Sequence, residues 1–287
     1  MVPMNNPIRG SGLGLRRELI KPLQACQDDS IDFFEVAPEN WIDSGGRHQR
    51  DLRAFSERFQ MTCHGLSLSI GSADPLDFAL LGKIKEFINQ HQVALYTEHL
   101  SWCSYNGHLY DLLPIPCNEE AVRWIAERVR QVQDFLEMPI GLENASYYFT
   151  PPGSTMAEQD FITAVIEESG CYLHLDVNNI YVNSQNFQFD PIEYMQALPL
   201  SKTGYIHVAG HYVEHDGVII DTHGADVIAP VWQLLKQAYQ FLGEKAAVIP
   251  TCLERDFNFP DLAQLLREVQ TIKTLQRNQI KSARQTA

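Results

Sequence analysis

The chain has 287 residues, of which 45% are hydrophobic and 20% are charged, a composition typical of a globular protein. Its 36 acidic residues outnumber 22 basic ones, and the formal charge of −14 disfavours nucleic acid and anionic membranes as partners. No segment approaches the length of about 18 apolar residues that a membrane-spanning helix needs. The first residues show neither the apolar core nor the cleavage site of a signal peptide.

Eight segments rich in β-branched and aliphatic residues predict strands. The first lies in RGSGLGLR, whose three glycines we interpret as part of a strand, because a dinucleotide-binding loop should follow a strand and open a helix. The eight segments are 12–15, 32–38, 61–70, 94–100, 139–146, 171–177, 203–209 and 247–254.

Helix-like segments separate these strands. Residues 118–137 carry apolar side chains at a spacing of three and four, behind the capping residue Asn118. Residues 155–170 and 226–243 each end at a glycine, as helices often do. Alternating strands and helices predict parallel strands with right-handed crossovers.

Eight such repeats in one chain predict a (β/α)₈ TIM barrel as fold class, and a doubly wound open sheet is the alternative. No composition break indicates a linker. We therefore expect a single barrel domain at residues 12–276, an N-terminal tail at 1–11 and a solvated C-terminal tail at 277–287.

Six cysteines are spread along the chain without a CxxC pair, so neither a disulfide framework nor a thiolate zinc site is expected. Reduced thiols in a cytoplasmic protein are the simpler interpretation. Cys63 and Cys103 lie near strand ends, where packed thiols are favoured over nucleophiles.

Polar side chains follow the predicted strands where a barrel carries its active site, at the C-terminal ends. Carboxylates in apolar strands are costly to bury unless they are paired or bind a cation. Histidine, carboxylate and amide ligands without thiolate suit iron, manganese, zinc or cobalt, and carboxylates can bridge two metals. The strand-end residues are Glu35, Glu39, His64, Glu98, His99, Glu143, Asn144, Asp176, Asn178, Asn179, His207, Glu254, Arg255 and Asp256, with His211, Asp221 and His223 in the loop after strand seven.

Each of these residues also has a structural interpretation. His64 could be a core histidine bonded to a backbone carbonyl, Glu98 could pair with Arg255, and the asparagines could close loops. His91 is expected at the surface, as are His48 and His108. Aromatic side chains after the strand ends could line a groove for a peptide or sugar, or pack the loops; they are Trp41, Trp102, Tyr105, Tyr147, Tyr148 and Tyr181.

A series of motifs resembles the multinuclear non-heme iron-dependent oxidases, the family of the oxidase of methanobactin biosynthesis. The resemblance extends from about Gly12 to Leu275. It implies a xylose-isomerase-like barrel. The motifs, in chain order, are HGLSLSIG, TEHLSW, GLENASYY, LHLDVNNIYVN, YIHVAGH, DTHG and LERD.

The resemblance implies two or three iron ions (Fe²⁺/Fe³⁺) and O₂ as co-substrate, acting on cysteine residues of a ribosomally made precursor peptide with a peptide-binding partner protein. Glu143, Asp176 and His207 would be catalytic, and Glu143 would bridge metals. Asn144, Asn178, His211 and Arg255 would orient the ligands or the peptide. The implied metal ligands are His64, His99, Glu143, Asp176, Asn179, His207, Asp221, His223 and Glu254.

The segment YIHVAGHYVEHDGVIIDTH contains four histidines with different expected roles. His207 ends a strand and is expected to be a ligand. Asp221 and His223, two residues apart, would share a face of an extended loop. His211 is expected near substrate or behind the ligands, and His215 at the surface.

Two other functions remain open at this point. A divalent-metal isomerase or hydrolase would use the same barrel and the same ligand types, with manganese, zinc or magnesium. A non-catalytic binding component of a peptide-maturation complex would show a degraded set of strand-end residues, whereas this set is intact.

Overall fold

The computed structural model describes residues 8–26 and 30–286, with side chains described up to residue 279. Nine α-helices and four short 3₁₀ helices surround or connect the strands of this part of the chain. The strands are β1 Ser11–Gly14, β2 Phe33–Val36, β3 Gln60–His64, β4 Leu95–His99, β5 Trp102–Ser104, β6 His108–Leu113, β7 Gly141–Glu143, β8 Tyr172–Asp176, β9 Thr203–Ala209, β10 Tyr212–Val213, β11 Ile219–Ile220 and β12 Thr251–Glu254. The α-helices are α1 Ile20–Ala25, α2 Gly46–Ser56, α3 Phe78–His91, α4 Glu119–Leu136, α5 Glu158–Ser169, α6 Val177–Phe187, α7 Pro191–Ala197, α8 Ala229–Leu242 and α9 Leu262–Thr286.

Eight parallel strands form a closed barrel in the order β1-β2-β3-β4-β7-β8-β9-β12. Because β1 pairs with both β2 and β12, the sheet has no edge, and an open doubly wound sheet is excluded. The predicted (β/α)₈ barrel is confirmed. The remaining four strands form two antiparallel hairpins, β5–β6 and β10–β11, which the sequence had not indicated.

The alternation of side chains along the barrel strands sorts them into two layers. Leu173 and Leu175 of β8 pack outward into the main core between the sheet and the helices, whereas His174 and Asp176 face the interior. A small apolar cluster fills the interior beneath the polar residues; it consists of Ile8, Phe33, Leu95, Tyr205 and Cys252. The polar side chains in the barrel interior therefore lie above this apolar layer, which we call the apolar floor.

Local signals explain the helix boundaries. The Asn118 side chain accepts a hydrogen bond from the backbone N–H of Ala121, as expected for an N-cap. Helix α5 begins at Glu158, three residues later than its predicted start, and ends at Gly170, whose φ of +73° favours glycine.

Three expectations differ from the structure. The strand predicted over 61–70 ends at His64, and it is followed by Gly65, where a Cβ atom would overlap the side chains of Glu98 and Tyr96. Residues 277–286 of the expected tail continue helix α9. His91 is buried rather than solvated, and its Nδ1 lies 2.9 Å from the Ser56 hydroxyl.

None of the helices in the described ranges is long and apolar enough to cross a membrane. Cys63, Cys103, Cys117, Cys171 and Cys252 are free thiols, in agreement with the predicted absence of a disulfide framework. Burial raises the pKa of the Cys63 thiol well above its usual range, so this residue is a packed side chain rather than a nucleophile.

Candidate metal centre

Glu143, at the end of β7, lies at the middle of a buried cluster of histidines and carboxylates. Its Oε2 atom is 3.2 Å from Nε2 of His64 and 3.3 Å from Nε2 of His99. Its Oε1 atom is 3.2 Å from Nδ1 of His207 and 3.6 Å from Nε2 of His174. The two oxygens of one carboxylate therefore face different pairs of histidines, as is possible for a bridging ligand.

Glu254, at the end of β12, has a similar position between two groups. Its Oε2 atom lies 3.1 Å from Nδ1 of His207 and 3.3 Å from Nδ1 of His223. The other oxygen is 3.6 Å from the guanidinium of Arg16, which also pairs with Asp256. Asp176 completes the central group, with Oδ2 3.9 Å from Nδ1 of His207.

The outer group is built around His223 in the loop after β11. Nε2 of this histidine lies 2.7 Å from Oδ1 of Asp221, and its Nδ1 lies 3.0 Å from Oδ2 of Asp256. Asp221 and His223 thus meet, as their spacing predicted. They do so in a turn rather than an extended segment, because His223 has a φ of +52°, a left-handed conformation that costs energy in residues other than glycine.

Four groups of described residues could each hold a cation, with atoms no more than 4.8 Å apart within each group. Three of them adjoin through shared carboxylates: Glu143 belongs to the first and second, and Glu254 to the second and third. The three adjoining groups are His64, Glu143, His174 and His207; Glu143, Asp176, His207 and Glu254; and His223, Glu254 and Asp256. The fourth group, Glu35, His207 and Cys252, lies behind His207.

Hydrogen bonds behind the histidines direct their free nitrogens towards this cluster. Nδ1 of His99 lies 3.1 Å from the backbone oxygen of Gly65, which can only accept, so Nδ1 carries the hydrogen and Nε2 is left to bind. Nδ1 of His64 is 2.8 Å from the hydroxyl of Thr97, and its Nε2 likewise faces Glu143.

The charges of the cluster are strongly perturbed in the absence of a cation. Burial lowers the pKa of His64, but the Glu143 carboxylate outweighs it and raises the pKa to about 9. Burial and the neighbouring His64 lower the pKa of His99 to about 4. Burial and the Glu143 carboxylate raise the pKa of Asp176 to about 8. Without a metal, the cluster would have to retain protons at neutral pH to offset its buried carboxylates.

Several buried polar atoms at this site have no hydrogen-bond partner among the described residues, which is uncommon for buried groups. They converge on the three groups, so the residues present fit metal ions. Six carboxylates, at residues 35, 143, 176, 221, 254 and 256, and the guanidinium of Arg16 surround the cluster. If the histidines are neutral, the net charge of these groups is −5. The unpartnered atoms include Nδ1 and Nε2 of His174, Oδ2 of Asp176 and Oδ1 of Asn179.

Asparagine side chains tie the ligand-bearing loops together. Asn144 bonds twice to the backbone of Asp176, and Asn179 donates to the backbone oxygen of Asn144. The side-chain amide of Asn178 donates a hydrogen bond to Oδ1 of Asp221, and its oxygen accepts one from Nδ1 of His211 at 2.7 Å. His211 therefore lies one side chain behind Asp221, whereas His215 is exposed at the surface.

The expected neighbours of Arg255 and Glu98 are not found. Arg255 is buried against Asp226, at 2.8 Å, and Glu268, at 3.6 Å, and contacts none of the candidate ligands among the described residues. Glu98 accepts a hydrogen bond from the hydroxyl of Tyr96, so the suggested pairing of Glu98 with Arg255 is wrong. Glu98 directly precedes the inward-facing His99, and Arg255 directly follows the inward-facing Glu254. Because side chains alternate between the two faces of a strand, both residues face outward.

Three residues of the cluster were absent from the implied ligand set. All three, His174, Asp256 and Glu35, lie among the candidate ligand residues, and Glu35 contacts His207 from behind. The strand alternation could have identified His174, since it lies two residues before Asp176 in β8. Glu35 and Asp256 had been recognised only as strand-end residues.

Comparison with known proteins identifies a family. Residues 10–277 match the family described as "RiPP precursor modification enzyme MbnB/TglH/ChrH". A UPF0276 protein of Nitrosospira multiformis is 60% identical over 92% of this chain and 92% of its own length. A UPF0276 protein of Alcanivorax borkumensis is 52% identical over 94% of this chain and 92% of its own length.

Solved structures with the same architecture are distant in sequence. A 3-keto-D-glucoside 4-epimerase from E. coli is 12% identical, with a TM-score of 0.59, and the match covers 93% of this chain and 100% of that one. A xylose isomerase-like TIM barrel protein from Mycobacterium smegmatis, solved with magnesium, is 13% identical, with a TM-score of 0.55, over 92% and 88% of the two chains. At these identities the likeness establishes the xylose-isomerase-like barrel alone.

The family match covers the whole barrel and includes every strand that contributes to the buried cluster. The chain therefore belongs to the MbnB/TglH/ChrH family of enzymes that modify the precursors of ribosomally synthesised and post-translationally modified peptides.

Proposed function

We propose that this protein is a multinuclear iron-dependent oxidase that uses O₂ to modify cysteine residues of a ribosomally made precursor peptide. The observation that carries the proposal is the chain of three adjoining ligand groups, in which Glu143 and Glu254 are shared between neighbours. Their nitrogen and oxygen donors suit iron, and shared carboxylates are typical ligands of multinuclear sites.

His64, His174 and Glu143, with His99 beside them, would hold one ion, and Glu143, Asp176, His207 and Glu254 a second. His223, Glu254, Asp256 and Asp221 would contribute to a third, and Asn179 would add its side-chain oxygen beside Asp176. When bound, iron would supply electrons for the reduction of O₂ and a Lewis acid for a cysteine thiolate.

The protein side chains control how a substrate reaches this centre. His207, Asp176 and Glu143 are almost fully buried, whereas the side chains of His99 and His223 are 13% and 15% exposed. A substrate cysteine would therefore approach from the side of His99 and His223. Water is excluded from the opposite side by the apolar floor of the barrel.

Glu143, Asp176 and His207 are the proposed catalytic residues, because Glu143 and His207 join ligand groups and Asp176 belongs to the central one. The backbone N–H of Asn179 donates to Oδ1 of Asp176, which leaves Oδ2 directed into the cluster, where it can bind an ion or hold a proton. Asn144, Asn178 and His211 would keep Asp176 and Asp221 in place.

Membership of a family that modifies peptide precursors supports a proposal for the substrate and its delivery. A cysteine-containing precursor peptide would be presented by a separate peptide-binding protein, and both would meet this enzyme in the cytoplasm, where its thiols remain reduced. The high negative charge disfavours nucleic acid as partner.

The test is anaerobic purification, quantification of bound metals, and mass spectrometry of a cysteine-containing precursor after exposure to O₂. We expect two or three irons per chain and a mass change confined to cysteine. Manganese, magnesium or zinc without iron, with no change in the peptide, would instead favour a divalent-metal isomerase or hydrolase.

A further inference from the structure

An apolar pocket of about 260 Å³ lies beside the metal centre, between two loops that follow barrel strands. One wall is the segment after hairpin β5–β6, with Pro114 and Ile115, and the other is the segment from Asn144 to Ala157. Phe161 and Ile162 of helix α5 form its inner surface. The pocket belongs to none of the three ligand groups.

Three connections place this pocket next to the centre. Its lining residue Leu100 directly follows the candidate ligand His99, and Asn144 directly follows Glu143. Ser146, also in the lining, donates a hydrogen bond of 2.9 Å to Oδ2 of Asp221. A molecule in the pocket would therefore lie one side chain away from the ligands on the accessible side of the cluster.

The size and chemistry of the pocket restrict its occupant. A cavity of about 260 Å³ is below the usual range of about 300–1,000 Å³ for whole small-molecule ligands. It is sufficient for one leucine or aromatic side chain, and its apolar lining offers no counterpart for a charged group except Glu158. The hydroxyls of Tyr147 and Tyr194 both donate to Oε2 of that carboxyl, so Glu158 is already engaged.

We propose that this pocket binds a large apolar side chain of the precursor peptide, two residues from the cysteine that reaches the metal centre. In an extended peptide, side chains two residues apart point the same way and lie about 6–7 Å apart. A cysteine beside His99 and His223 would thus carry such a neighbour to the pocket. This inference depends on the proposed function, since it requires a peptide substrate at the centre.

The test measures binding of capped pentapeptides to the full-length, iron-loaded protein without O₂ by isothermal titration calorimetry. Two series, Gly-Xaa-Gly-Cys-Gly and Gly-Cys-Gly-Xaa-Gly, carry leucine, phenylalanine or alanine at Xaa. We expect leucine or phenylalanine to bind about tenfold or more tightly than alanine in one series, because the side chain leaves water.

Two variants fill the pocket from its mouth. Thr150→Trp and Ala157→Trp change exposed lining residues, and we expect each to reduce the preference for a large side chain to about twofold or less. Thr155→Trp is the matched control, because Thr155 is exposed on the same loop but does not line the pocket. This control should retain the full preference.

Equal binding of the three peptides in both series, a lack of binding by all of them, or a preference that survives both filling variants would overturn the proposal. The unmodified protein alone decides the first two outcomes if a variant fails to fold. Failure of the proposed function would give a different result: the peptides would bind with the stated preference, but their cysteine would not change mass when O₂ is added.

Discussion

Nε2 of His207 lies 2.8 Å from Oε2 of Glu35, on the far side of the imidazole from the ligand cluster. A carboxylate can only accept a hydrogen bond, so this contact keeps the hydrogen on Nε2 and directs Nδ1 towards Glu143 and Glu254. The hydroxyl of Tyr205 also donates to Oε2 of Glu35 and holds the carboxylate in place. Glu35 thus orients a candidate ligand from outside the three adjoining groups.

We expect Glu35→Gln to weaken metal binding without abolishing the fold. Substitutions behind metal-binding histidines typically lower metal affinity by about 10–100-fold. The measurement is anaerobic titration of the metal-free protein with Fe²⁺. Glu98→Gln is the matched control, since Glu98 is equally buried but bonds to Tyr96 outside the cluster. Equal iron affinity in the two variants would contradict the orienting role of Glu35.

Removal of a shared ligand should have a larger effect. Glu143→Ala or His207→Ala is expected to lower iron content by at least one ion per chain and to reduce cysteine modification by more than about 100-fold, because each residue contacts two ligand groups. Metal analysis and mass spectrometry of the precursor, with its partner present, provide the measurement. Full iron and full turnover in both variants would show that the centre lies elsewhere.

Metal removal should destabilise the barrel. Buried carboxylates at residues 143, 176 and 254 lose their counter-ions when the metal is removed. A ligand present at about 100 times its dissociation constant stabilises a protein by about 2.7 kcal/mol. Thermal unfolding with and without a chelator should therefore show a lower Tm for the stripped protein. In Glu143→Ala the chelator should have a smaller effect, and an equal shift in both proteins would argue against binding at this cluster.

Glu158 predicts a pH dependence that is separate from the metal centre. Burial raises the pKa of this carboxyl to about 7, although bonds from Tyr194 and Tyr147 oppose the shift. The folded state therefore binds more protons than the unfolded state between the unfolded pKa of about 4.5 and pH 7. The neutral Glu158 therefore contributes its full stabilisation below the unfolded pKa of about 4.5. This contribution is lost as the pH rises through the folded pKa of about 7.

The variant Glu158→Gln should remove this loss. We expect the difference in free energy of unfolding between the variant and the unmodified protein, both metal-free, to shift by about 2–3 kcal/mol in favour of the variant from pH 4.5 to pH 8. Denaturant unfolding of both proteins at the two pH values measures the difference. A stability gap that does not change with pH would mean that Glu158 is ionised throughout this range.

Adjacent residues on one strand show how far the sequence specifies the site. His99 and Glu98 both end β4, but side chains alternate between the two faces, so only one of them can face the interior. The same rule separates Glu254 from Arg255 after β12 and groups His174 with Asp176 in β8. Applied consistently, the alternation would have added His174 to the ligand set and shown that Arg255 faces away from it.

Contacts between distant strands could not be obtained this way. The Glu35 and His207 side chains are separated by 172 residues in the chain, and they meet because the barrel closes and brings both across its interior. Hairpin β5–β6 has no periodic apolar face from which it could be predicted, since most of β6 is exposed. The pocket beside the centre is formed by the segment after that hairpin together with the loop after β7, so the sequence did not predict it.

The sequence by itself determined the barrel and the supply of polar residues at one end of its strands, because repeated apolar segments and their polar termini are local patterns. Only the tertiary structure decided which of these residues share an ion, which support a ligand from behind, and which face away. Ligand groups with atoms no more than 4.8 Å apart depend on strand register and barrel closure, which arise from packing among all eight strands rather than from any one of them.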